Sequence, residues 1–247
     1  MTALCIFAVT YVLISVQRIR FLDLDRPSAA MLGAVAMVVC GALTLREAYA
    51  AVESMRAKEL ESQLEEFKKG LASPDEKEKL HTIDAIGKSK NGKATSMVLS
   101  YLQSRNAELR AAACKALGEL KSPGAVAGLG EVLKNKNETP EVQVLAANAL
   151  GAIGDAKAVP YLLQDLFTVK DERPVFARIE ALGKIRDRTA IEALLEVPGQ
   201  IRGKPIKETK ALVFKELEGL TGQKLGDINA WRTWWSKNKD AFKFPKE

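Results

Sequence analysis

From residue 74 onward the apolar positions of this chain fall on a regular beat. Ala85-Ile86-Gly87, Ala116-Leu117-Gly118, Ala149-Leu150-Gly151 and Ala181-Leu182-Gly183 follow one another at steps of 31, 33 and 32 residues. Counted from the middle residue of each triplet, position 9 holds Thr95, Val126, Val159 and Ile191, and position 12 holds Val98, Leu129, Leu162 and Leu194. Position 16 holds Leu102, Leu133, Leu166 and Pro198. These offsets share one face of an α-helix, because side chains three or four apart stack together. Upstream, Leu109, Ala112, Ala113, Ala116, Leu117 and Leu120 form one stripe, and Val142, Leu145, Ala146, Ala149, Leu150 and Ile153 repeat it at identical spacing. Each unit therefore predicts two helices in fixed register, and a period near 32 residues predicts stacked helix pairs.

Local signals agree. Ser73-Pro74-Asp75-Glu76 and Thr139-Pro140-Glu141 read as N-cap, Pro at the first helical position, then acid in the first turn. Asn106 and Ser122 are further N-cap candidates, and Asp155 and Asp187 are placed to accept backbone N–H bonds in the tight turns. The glycine closing each triplet permits either tight packing or a C-terminal cap. One column is broken: position 15 holds Tyr101, Val132, Asp165 and Val197. Asp165 is either half exposed or turned into the groove where a partner binds.

The register resembles HEAT repeats, in particular the short phycobilin-lyase-like type. Leu109 to Val159, with ALGEL, PGAV and ALGAIGDAKAV, carries the resemblance most strongly. It extends with decay over residues 74–222, including a half-unit around Ala211, Phe214, Leu217 and Leu220. The Thr-Pro-Leu-His of ankyrin repeats and the early Trp of tetratricopeptide repeats are missing. The resemblance implies an all-α, right-handed solenoid of paired helices with atypical end units.

The first fifth of the chain is different. Ala3–Val16 and Ala29–Leu45 are apolar, spanning roughly 21 and 25 Å as helices against a hydrocarbon core of about 30 Å. Arg18, Arg20, Asp23, Asp25 and Arg26 form a polar turn between them. A transmembrane helical hairpin over residues 1–52 is the expectation; a buried soluble hairpin and a cleaved signal are the other readings. A signal peptide calls for Lys or Arg before its apolar core, and none stands there. The three turn arginines favour a cytoplasmic turn, whereas Arg46, Arg56 and Lys58 argue the reverse, so the side of the repeat domain stays open. Residues 7–52, with Asp-Arg-Pro-x-Ala-Ala and Glu-Ala-Tyr, also resemble the opening of bacterial arsenical-pump and citrate-transporter-type anion permeases. That family builds its pore from many more membrane helices, so the resemblance implies an anchor, a fusion remnant or an accessory subunit.

Charge sharpens the picture. The formal net charge is +6. Residues 57–199 balance 21 basic against 21 acidic side chains, and residues 200–247 hold 11 against 6. That basic end contains Lys224, Arg232, Lys237, Lys239, Lys243 and Lys246 beside Trp231, Trp234 and Trp235. The three tryptophans share one helical face and are expected to close the open end of the last repeat; an anionic membrane surface or nucleic acid is the other use of such a cluster.

Candidate chemistry is sparse. The chain has one histidine, His81, and three cysteines. Cys5 and Cys40 lie in the apolar runs, Cys114 stands alone on a first helix, and no disulfide or zinc spacing exists. The repeated His-Glu pairs of di-iron, deoxyhypusine-hydroxylase-like HEAT enzymes are missing, as are phosphate-binding glycine loops. No catalytic, cofactor-binding or metal residue is assigned. The expected organisation is a hairpin over 1–52, a charged helical spacer over 53–72, HEAT-like repeats over 73–222 and a Trp-containing cap over 223–247. The expected function is a scaffold at the cell membrane, anchored in the lipid bilayer by residues 1–52, that binds a protein partner on its solenoid surface. No nucleic acid, small-molecule substrate or cofactor is expected. A bilin-type lyase and an anion-permease accessory subunit are the alternatives.

Overall fold

The computed structural model describes residues 33–35, 37–38, 44–167, 171–200 and 206–245. Most of the apolar hairpin expected over residues 1–52 lies outside the described residues. Among those described, no helix is long and apolar enough to cross a membrane. The chain divides into two compact units, Met1–Phe67 and Lys68–Glu247.

In the first unit the main described element is helix α1, Leu45–Ala72, which continues past the boundary. It opens on a capping box: Thr44 N–H donates to Glu47 Oε2 at 2.8 Å and Glu47 N–H donates back to Thr44 Oγ1 at 3.3 Å. These reciprocal bonds fix the helix start at residue 45, where the charge-free stretch ends. Leu45 and Tyr49, one turn apart, are 76% and 67% exposed.

The second unit is a succession of helix pairs. The first helices of successive pairs are α2 (Glu76–Lys88), α4 (Ala107–Leu120), α6 (Pro140–Ile153), α8 (Arg173–Lys184) and α10 (Ile206–Thr221). The second helices are α3 (Thr95–Leu99), α5 (Val126–Lys134), α7 (Val159–Leu163) and α9 (Arg188–Gln200), and α11 (Ile228–Asn238) follows α10. Short 3-10 turns, such as Gly92–Ala94 and Pro123–Ala125, lead into the second helices. Asn106 and Thr139 cap α4 and α6 as their sequences suggest, and Asp155 and Asp187 accept backbone N–H bonds in their turns. At α2 the cap is Asp75, which accepts from Lys77 N–H at 3.0 Å, rather than Ser73, whose hydroxyl accepts from Asp75 N–H. Ser122 occupies an N-cap position but makes no side-chain capping bond.

The repeated triplet is the joint of the stack. A Cβ placed on Gly87, Gly118 or Gly151 would lie 2.8, 2.9 and 2.8 Å from the Cα of Ala116, Ala149 and Ala181. The glycine of each triplet thus rests against the alanine of the next, backbone on backbone, and neither helix can take a larger residue there. These glycines lie inside their helices, so tight packing, not capping, explains them. The ladder ends at Gly183, which meets the side chain of Glu216. In α10 the triplet has become Glu216-Leu217-Glu218, with Val213, Leu217 and Leu220 buried as its stripe. Below the joints, all four residues of position 12 are fully buried.

Candidate partner-binding surface

The second helices pack through side chains instead. Gly128 and Gly130 of α5 face opposite neighbours. A Cβ on Gly128 would meet Leu102 and Leu99 of the preceding unit at 3.0 and 3.2 Å, and one on Gly130 would meet the ring of Tyr161 in the following unit at 2.5 Å from Cγ. Tyr161 therefore lies flat over α5. The Lys134 ammonium sits 4.9 Å from the ring centroid and 2.8 Å from Glu131.

Between α3 and α5 this packing leaves a surface cleft of about 380 Å³. Its floor is apolar (Leu99, Leu102, Val132), and Gln103, Glu131 and Asn135 line its polar side. A buried ion pair braces one end. Arg110 binds both oxygens of Glu138 at 2.7 and 2.8 Å and donates to the carbonyls of Ser104 and Arg105 at 2.7 and 3.1 Å. Glu138 also accepts from Thr139 N–H at 2.8 Å. Burial pushes the Glu138 carboxyl upward, but Arg110 and Thr139 outweigh it and hold the acid below its ordinary range. Bidentate geometry and satisfied lone pairs make this a rigid clamp across two interunit loops.

A second arginine does similar work. Arg178 of α8 is 1% exposed and donates to the carbonyls of Gln164 at 2.9 Å and Leu133 at 2.8 Å. It stands in a column otherwise held by Thr82, Ala113 and Ala146. Its length suits the space beside α7, which stops at Leu163 and leaves end carbonyls to be bound. The early stop also explains Asp165, which lies past the end of α7 with φ +53° and is exposed. Its place in the register has no helical counterpart.

At the far end α11 lies on α9. Trp231 is 1% exposed and donates its indole N–H to Leu225 O at 3.1 Å. Trp235 is buried beside it, and Arg232 donates to Leu195 O of α9 at 3.0 Å. Trp234 and Trp235 pack on Phe242, and Phe242 on Phe244.

The residues with candidate chemistry are scattered. His81 is exposed on α2. Cys114 is buried one turn from Arg110, and burial, with Glu138 adding, pushes its thiol up to about 12, far from a reactive thiolate. Among the described residues no three His, Cys, Asp or Glu side chains gather as a metal site. Sequence reasoning missed the Arg110–Glu138 clamp and Arg178. The one available signal for the latter was a long cation in a column of small residues.

The family model described as HEAT repeats matches residues 64–139 and again 126–199, together more than half of the chain. The chain is also 32% identical over 101 residues to a protein named deoxyhypusine hydroxylase-B from Oryza sativa subsp. japonica. That match takes in 41% of this chain and 32% of the relative, so the chain spans about a third of the relative's length.

Proposed function

This chain belongs to the HEAT-repeat family, and from that premise we propose that it is a membrane-held scaffold gripping a segment of a protein partner along its second helices. The observation that carries the reading is the cleft between α3 and α5. It offers an apolar floor for an anchoring side chain, a polar side for backbone groups, and a clamped end that keeps its shape without a partner. Membrane attachment is supported by the two charge-free apolar runs before residue 45 and by the capped start of a polar helix immediately after them. The hydroxylase named among its relatives lends no chemistry of its own here, because this chain has a single histidine, exposed on α2. The bilin-lyase and permease-subunit readings have only the sequence resemblances behind them.

The test is affinity capture by the full chain beside Leu99→Asp, which charges the cleft floor. The expected result is a partner retained by the wild type and lost at least tenfold by the variant, with unchanged helical circular dichroism. A partner held equally by both sinks the cleft. For the anchor, the full chain and a version starting at Thr44 are fractionated. The full chain should sediment with membranes and the shorter one should not; recovery of both in the soluble fraction refutes attachment.

A further inference from the structure

Because the triplets stack glycine on alanine at one register, the first helices run parallel and end along the same edge. The turns into the second helices therefore line up on that edge. They comprise residues 88–93, 120–125, 153–158 and 184–189, and contain eight Lys and Arg against two carboxylates. Both carboxylates are engaged: Asp155 accepts from Lys157 N–H at 2.9 Å and Asp187 from Thr189 N–H at 2.8 Å. The opposite edge, residues 73–78, 104–109 and 135–141, carries six carboxylates against three cations. A chain segment balanced in total is thus strongly polarised across its width. Lys90, Lys93, Lys121 and Lys157 are exposed and unpaired among the described residues.

A second observation concerns the backbone. Four residues after the centre of each triplet the chain makes its turn. The third unit has Gly154 there at φ +71°. The first two place Lys90 at φ +54° and Lys121 at φ +48°, a left-handed conformation that glycine holds far more easily than a lysine. The fourth has Arg186 at the same position. In the first three units local backbone preference calls for glycine, and two of them carry a lysine instead. Positions that break a local rule without a packing gain are where function is to be sought.

We propose that this edge is a second binding surface, separate from the cleft, and that its partner is an anionic bilayer surface. Adjacent packed helices stand about 8–10 Å apart, so one to three cations per unit make a row about 30 Å long, suited to many headgroups at once rather than to one small anion. Each Lys or Arg near such a surface adds to the attraction, and the sum is salt-sensitive. The C-terminal tail extends the row: Arg186 donates to Pro245 O, and Arg188 to Asp240 O at 3.4 Å and Phe242 O at 3.3 Å, which brings Lys239 and Lys243 beside it. Single-stranded nucleic acid calls for open aromatic faces to stack its bases. Phe242 and Phe244 at this edge are packed on each other, and the Arg186 guanidinium covers Phe244.

The test is lysine footprinting of the full chain by amine acylation and mass spectrometry. Three conditions are compared: phosphatidylcholine vesicles, vesicles with 30% phosphatidylserine, and phosphatidylcholine vesicles plus a 20-base-pair DNA duplex. Lys90, Lys93, Lys121 and Lys157 should be protected at least threefold by phosphatidylserine alone, with relief in 0.5 M NaCl. Lys77 and Lys136 on the opposite edge should not change. Equal labelling in all conditions, or protection by DNA only, overturns the proposal. The double variant Lys90→Gly/Lys121→Gly gives an independent check, since it removes charge while relaxing the turns. It should melt no lower than the wild type yet lose most of the protection at Lys93 and Lys157; retained protection counts against the row. Flotation with the neutral vesicles reports the N-terminal anchor separately, so the two membrane contacts stand or fall apart.

Discussion

The two helical layers of the repeat unit solve the same stacking problem in different ways. The first helices meet backbone to backbone, Gly87, Gly118 and Gly151 on Ala116, Ala149 and Ala181. The second helices meet through side chains: Leu99 and Leu102 over Gly128, Tyr161 over Gly130. Backbone contact cannot yield, so it fixes the period, and the first helices it joins, α2, α4, α6 and α8, stay at 12 to 14 residues. Side chains can change rotamer, so the second layer tolerates helices of five residues (α3, α7) next to one of thirteen (α9). The rigid layer sets where units stand; the adaptable layer carries the cleft. A scaffold whose binding surface varies while its stacking does not gains specificity without redesigning the fold.

The largest effect is expected where a clamp ties the layers together. Arg110→Met leaves Glu138 buried without its partner, and removing one member of such a pair costs about 3–5 kcal/mol. Thermal unfolding should fall by many degrees, whereas an unchanged melt would mean that Glu138 finds water or another donor. Next comes the joint. Gly118→Val drives a branched side chain into the backbone of Ala149, and overpacking against an element that cannot move should cost about 3 kcal/mol. Gly124→Ala is the matched control, since its Cβ would meet only Ser122 Oγ at 3.7 Å, and it should be nearly neutral.

The adaptable layer should give less. Gly130→Ala puts a methyl group under the Tyr161 ring, which can swing away at the expense of its contact with Lys134, for about 1 kcal/mol. The contrast between the layers breaks if urea titration finds Gly130→Ala as damaging as Gly118→Val.

The same difference decides what was legible in the sequence. Stacking through one glycine and one alanine leaves a strict pattern, so the triplet, the buried column of Val98, Leu129, Leu162 and Leu194, and most caps were readable before any coordinates. Stacking through side chains leaves no fixed pattern. Nothing at residue 163 announces that α7 stops there, and Asp165 therefore looked like an outlier in a helix rather than a residue beyond one. The Arg110–Glu138 clamp joins residues 28 apart across two loops, a pairing that helical spacing cannot suggest. The basic edge was hidden for a third reason. Lys90, Lys121 and Arg186 share one position, but the third unit has Gly154 there and its cation, Lys157, three residues on, and the four align on one edge only once the helices are known to run parallel.

The smallest effect lies at the half-buried Glu216, whose tendency is the reverse of that of the buried Glu138. Arg110 and Thr139 hold Glu138 below its ordinary value despite burial. Its charge therefore stabilises the fold above the unfolded value near 4.3, and that contribution is lost as pH falls through the lower folded value. Glu216 is the reverse. Burial against Gly183 raises its carboxyl, Glu180 adds to the rise, and Lys215 and Lys184 only partly oppose it. Its ionised form is disfavoured in the fold, so it withdraws stability as pH climbs from about 4.3 through the raised value. Glu216→Gln should accordingly melt higher than wild type at pH 7, by about 0.5 kcal/mol, and the gain should vanish near pH 4. Glu138→Gln should melt lower at pH 7, and its deficit should shrink in acid. Melting curves of both variants at the two pH values decide it. A Glu216→Gln variant that loses stability at pH 7 would mean that the stack ends on a favourable carboxylate contact, and that the exception to the Gly-on-Ala rule is a stabilising terminus rather than a strained one.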